Sequence, residues 1–109
     1  MKGFELVFMA PRSRRHDGKP VIDAITGIAR TQGIKRYTRR INTEGVGPSG
    51  HTHSSHFFEL MDEPEELAFV LDSDKAELLL QTVEAEGIHV FCMRRPIDYW
   101  QFGSPTNAD

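Results

Sequence analysis

The sequence predicts an α+β fold: one four-stranded antiparallel sheet with two helices on one face. Three observations carry this. Four short runs have the period-two alternation, or the β-branched and aromatic content, of strands. Two longer runs place apolar residues at helical spacing. The two kinds alternate as β-α-β-β-α-β along 109 residues, the length of one domain.

The first strand is Phe4, Leu6 and Phe8 alternating with Glu5, Val7 and Met9. Residues 11–18, Pro-Arg-Ser-Arg-Arg-His-Asp-Gly, end it in a basic loop. Pro20 stands where the first turn of a helix tolerates proline. Val21, Ile22, Ile25, Ile28 and Ala29 form the apolar stripe of that helix, and Gly33 suits its C′ position. Residues 34–42 read as a second strand with basic side chains along it. Residues 57–72 read as a third, interrupted at Asp62-Glu63-Pro64, where proline implies a bulge or an edge. Asp72 or Ser73 can cap a second helix with Leu78, Leu79, Leu80 and Val83 as its stripe and Gly87 as its end. Ile88, Val90 and Cys92 alternate with His89, Phe91 and Met93 in a fourth strand, whose periodicity ends at Arg94. This is the ferredoxin-like plan, expected over residues 1–103, with 104–109 as a disordered tail. Phe4, Phe8, Phe57, Phe69 and Phe91 put aromatic area on the strands, and an exposed sheet face of so small a domain needs cover.

Composition narrows the function classes. No apolar run approaches the ~20 residues of a membrane span. Glu5 interrupts the apolar N-terminal run, and Pro11 and Arg12 follow where a signal peptide would need small residues. The single cysteine, Cys92, makes no internal disulfide and suits a reducing cytoplasm. It alternates inward with Val90, as a core residue does. The net charge of −3 hides an asymmetry: residues 1–40 carry ten Lys/Arg and three Asp/Glu, and residues 41–109 carry three and thirteen. An acidic chain without a recognisable motif is a poor fit to nucleic acid. No Ser-His-Asp or paired-carboxylate pattern points to an enzyme.

Residues 43–56 are the functional stretch by composition. Three of the nine glycines and three of the five histidines fall in it, with few apolar side chains. It reads as a flexible arm between two strands, with Gly45 and Gly47 as hinges. His51, His53 and His56 could ligate a divalent transition metal, although the spacing matches no closed zinc motif. Arg12, Arg14, Arg15, His16 and Lys19 lead into a helix N-terminus, which favours an anion. The plainer reading pairs this loop with the acidic residues 62–66. Arg39, Arg40, Arg94 and Arg95, at neighbouring strand ends, suit phosphate. Tyr99, Trp100 and Phe102 could pack on the sheet or a neighbouring subunit, or stack on adenine.

His16-Asp-Gly-Lys-Pro-Val-Ile-Asp-Ala-Ile25, Ala29 and Gly33, Arg40 with Gly45-Val-Gly47, His51-Thr52, and Leu67-Ala-Phe-Val-Leu-Asp-Ser-Asp-Lys75 together resemble the uncharacterised PII-like proteins. The resemblance implies a homotrimer with residues 43–56 in the place of the T-loop. It also implies an adenine nucleotide bound between subunits at the base of that loop. The target protein would be one such as a membrane transporter of an inorganic ion, for example bicarbonate. His16, Lys19, Arg39, Arg40, Gly45, Gly47, Arg94 and Arg95 are the nucleotide-binding candidates. The connection Glu84-Ala-Glu-Gly-Ile88 departs from the glycine-rich phosphate loop of PII proteins, so AMP or ADP is expected over ATP. The 43–56 segment also lacks a tyrosine for uridylylation. The related CutA proteins, linked to divalent metals, supply the alternative.

Overall fold

The computed structural model describes residues 1–41 and 63–103. In chain order its elements are β1 (Lys2–Pro11), β2 (Arg15–His16), β3 (Lys19–Pro20), α1 (Val21–Thr31), β4 (Thr38–Ile41), β5 (Pro64–Leu71), α2 (Ser73–Ala85) and β6 (Phe91–Asp98). The main sheet has the order β4-β5-β1-β6, and every pairing in it is antiparallel. That is the expected ferredoxin-like topology. Residues 42–62, which contain the whole of the expected arm 43–56, and the tail 104–109 lie outside the described residues.

Period-two alternation decides which side of the sheet is covered. Leu6, Phe8 and Ala10 of β1 share a face with Leu67, Phe69 and Leu71 of β5. They are buried against Val21, Ile22, Ile25 and Ala29 of α1 and Ala76, Leu79 and Val83 of α2. Phe8 and Phe69 meet edge to face, with centroids 6.0 Å apart, the favoured aromatic geometry. This revises the aromatic expectation. Phe8 and Phe69 lie under the helices, not on the uncovered face. Phe57 lies outside the described residues. Val7, Val70, Phe91 and Met93 supply the apolar area of the open face, where Val70 is 49% exposed and Met9 is buried.

Both helices end in the same way, and this explains two misplaced strand boundaries. The Gly33 amide donates to the Arg30 carbonyl, and the Ile34 amide donates to that of Ala29. Gly87 donates to Glu84 and Ile88 to Val83. Each is a Schellman cap, with glycine in the left-handed region (φ 80° and 67°) followed by a buried isoleucine. Ile34 and Ile88 therefore belong to helix ends, and β4 and β6 begin later than alternation suggested. The Asp72 carboxylate accepts the Lys75 amide at 2.8 Å and caps α2.

Three further differences have simple causes. β6 runs on through Arg94, Arg95 and Pro96 to Asp98. It is an edge strand, where proline needs no ladder donor. Pro64 is the first residue of β5, which is again a permitted place. Leu78 is 49% exposed, because Ala76, not Leu78, faces the sheet beside Leu79 and Val83.

Gly3 is held by close approach. A Cβ there would collide with the Leu71 carbonyl oxygen and meet the Tyr99 ring at 2.9 Å. Gly3→Ala is expected to destabilise by about 1–3 kcal/mol, since backbone cannot yield as a side chain does. Urea unfolding checks this, and an unchanged midpoint would refute the fit described.

Candidate functional site

β1 and β4 end, and β5 and β6 begin, at the same end of the sheet, so the segment 42–62 leaves and returns there. The basic loop lies beside it. It is a hairpin: Arg15 and His16 pair with Pro20 and Lys19 across Asp17-Gly18. Both turn residues have positive φ, 51° and 81°, as a type I′ turn requires. The Asp-Gly pair carried that signal in the sequence.

Most of the loop's cations are engaged within the chain. Arg12 bonds Glu63 at 2.5 Å, as the plainer reading expected. Arg14 donates to the His89 carbonyl at 3.1 Å, and Arg15 to that of Arg12 at 3.3 Å. His16 lies 3.6 Å from the Asp17 carboxylate, while Lys19 projects into solvent. At the start of α1, Pro20 offers no side-chain cap, and the Val21 amide donates to the Arg14 carbonyl.

The four strand arginines divide between faces and between edges. On β4, Arg39 turns under the sheet. Its Nε and Nη2 lie 3.0 and 2.9 Å from Glu65 Oε2, and its Nη1 lies 2.9 Å from Asp23 Oδ1 on α1. Burial acts to lower its pKa, but the bonds and charges of Glu65 and Asp23 outweigh burial and hold it above the ordinary value. Arg40 faces the open side, 3.7 Å from Glu66. On β6, Arg94 lies over the Phe4 ring and 3.3 Å from Glu77 of α2. Arg95 faces the open side and donates its Nε to Glu5 at 2.7 Å. A cavity of about 640 Å³ lies over Val7, Met9 and Met93, with Glu5, Glu66, Arg94 and Arg95 at its sides.

β4 and β6 are the two outer strands. The chain therefore keeps Arg40 and Arg95 apart on opposite edges. Of the remaining candidates, Gly45, Gly47, His51, His53 and His56 lie outside the described residues. Among the described residues no group of His, Cys, Asp and Glu could hold a metal ion, and no helix is long and apolar enough to cross a membrane.

Cys92 packs against the core, and burial pushes its thiol up to about 11 from the ordinary 9.0. It is a poor nucleophile. The unfolded chain ionises this thiol first, so stability should fall as pH rises from about 9 to about 11. A Cys92→Ala variant should show a flatter profile over that range in unfolding experiments.

The aromatic residues after β6 lie at the opposite end of the sheet. Tyr99 exchanges backbone bonds with Met1 and sits against Gly3, and Gln101 accepts from Arg36 at 3.1 Å. Trp100 and Phe102 are 68% and 87% exposed. Far from the base of 42–62, they cannot stack on a ligand held there by the same subunit.

The DUF190 family model (Uncharacterized ACR, COG1993) matches residues 6–95. The chain belongs to the DUF190 family. None of the curated proteins compared matches this DUF190 sequence. Among the solved structures that share its fold are two of PII-like proteins. One is a candidate PII-like signalling protein from Thermus thermophilus, with TM-score 0.58 and 11% identity, covering 88% of this chain and 87% of that one. The other is CPII, a nitrogen regulatory PII-like protein from Thiomonas intermedia, bound to ADP, AMP and bicarbonate. Its TM-score is 0.57 at 16% identity, covering 97% of this chain and 98% of that one.

Proposed function

We propose that this DUF190 protein is a PII-like regulatory protein and not an enzyme. It forms a homotrimer, binds an adenine nucleotide between subunits, and signals through residues 43–56 to a target protein. A membrane transporter of an inorganic ion such as bicarbonate is the kind of target intended. The observation that carries this reading is the division of the open-face arginines between the two outer strands. Arg40 on β4 and Arg95 on β6 converge only if one subunit's β4 edge meets the β6 edge of the next. A closed ring of such heterologous contacts repeats the site at each junction. The apolar open face gives neighbouring subunits area to bury. ADP and AMP bound to CPII, which has the same fold, support the ligand class.

His16 and Lys19 of the hairpin, Arg94 and Arg95 of β6, and Arg40 of β4 are the proposed contacts, with Gly45 and Gly47 as hinges. Glu84 and Glu86, exposed at the turn before β6, would repel a third phosphate. AMP and ADP should therefore bind more tightly than ATP. Calorimetric titration with AMP, ADP and ATP, with and without Mg²⁺, tests the ligand. Light scattering tests the trimer. A monomer at micromolar concentration that binds none of the three would end the proposal.

A further inference from the structure

Three charged side chains join the hairpin to the point where β4 and β5 leave the sheet. Lys19 and Pro20 run directly into α1, and Asp23 lies in the first turn of that helix. Asp23 takes one nitrogen of Arg39, and Glu65 takes the other two. Glu65 is 3% exposed, and a carboxylate buried that far is costly to leave without its partner charge. One guanidinium thus serves two carboxylates, one fixed by burial on β5 and one carried by α1. Each of its three nitrogens already meets a carboxylate, and both carboxylates compete with a phosphate for it.

We infer that Arg39 is a positioning residue that couples the first turn of α1 to the β4–β5 ladder. It does not contact the ligand. This deepens the nucleotide reading above and rests on it. A phosphate held by His16 and Lys19 adds negative charge on the Asp23 side of the bridge. The guanidinium is drawn that way, while Glu65 cannot follow out of the interior. The strain falls on residues 38–41 against 65–68, the first paired residues on either side of 42–62. A coupling needs such a continuous physical chain with both ends biased by it.

The test is hydrogen exchange of residues 38–41 and 65–68 with and without ADP, in the wild type and in Asp23→Asn. That variant reduces the link to α1 from an ion pair to a neutral hydrogen bond and leaves the Arg39–Glu65 pair in place. ADP should change the protection of these amides in the wild type. The change should shrink by about fivefold in Asp23→Asn while ADP affinity stays within about twofold. Asp23→Glu should restore it. Asp98→Asn, which breaks the Lys2–Asp98 pair at the far end, should leave it intact. An identical ADP-dependent change in the wild type and Asp23→Asn would overturn the coupling alone. No ADP binding by the wild type would overturn the nucleotide reading and the coupling with it.

Discussion

Arg39→Ala is expected to destabilise the fold by about 2–3 kcal/mol. Removing one partner of a buried pair leaves the other charge uncompensated, which typically costs about 3–5 kcal/mol. The lower figure applies because the Arg39 side chain is 35% exposed, so water screens part of the interaction. Glu65 cannot turn out to solvent. Its strand lies between β4 and β1, and the Glu65 side chain is only 4% exposed. Arg39→Lys keeps the charge but loses the fork that reaches both carboxylates, so it should recover about half of the loss. Urea unfolding at constant m-value measures this. A loss under about 0.5 kcal/mol would mean that Glu65 finds another partner, and the bridge would then have no structural weight.

The legible parts of the fold were those set by local chemistry. The alternation in β1, the stripe of α1, the Asp72 cap and the two C′ glycines are each decided within a few residues, and each stands in the structure. The boundaries that moved depend on longer contacts. Gly-Ile after a helix reads equally well as a Schellman cap or as the start of a β-branched strand, and burial of Ile34 and Ile88 by the core decides for the cap. Pro96 reads as a strand breaker until β6 is known to be an edge. Asp17-Gly18 was a hairpin signal hidden by the basic residues around it.

The site was less legible, for a reason of geometry. Adjacent residues on a strand point to opposite faces, so the pairs Arg39-Arg40 and Arg94-Arg95, alike in sequence, do different work. Arg39 and Arg94 go under the sheet to Asp23, Glu65, Glu77 and Phe4. Arg40 and Arg95 go to the open face. A charge count sees four equivalent cations. The alternation with Phe4, Leu6 and Phe8 one strand away separates them, but only once the register of β1 against β6 is known.

Replacing both Arg40 and Arg95 with alanine is expected to weaken ADP binding by about 100-fold or more. Each hydrogen bond to a charged group contributes about 1.5–3 kcal/mol, and arginine offers phosphate a bidentate edge. In Arg95 only Nε is held by Glu5, which leaves the Nη1–Nη2 edge facing the open side. Glu5→Gln in the Arg95→Ala background, and Glu66→Gln in the Arg40→Ala background, separate loss of a contact from the repulsion of the carboxylate charge left behind. The decisive form of the experiment mixes subunits. Each single variant should bind weakly alone. Co-refolded in equal amounts, they form rings in which about one junction in four joins an intact β4 edge to an intact β6 edge. Calorimetry should then find wild-type affinity at about a quarter of the wild-type stoichiometry. If both arginines served a ligand within one subunit, every subunit in the mixture would still lack one of them. No tight sites would return, and the site would have to be moved off the junction.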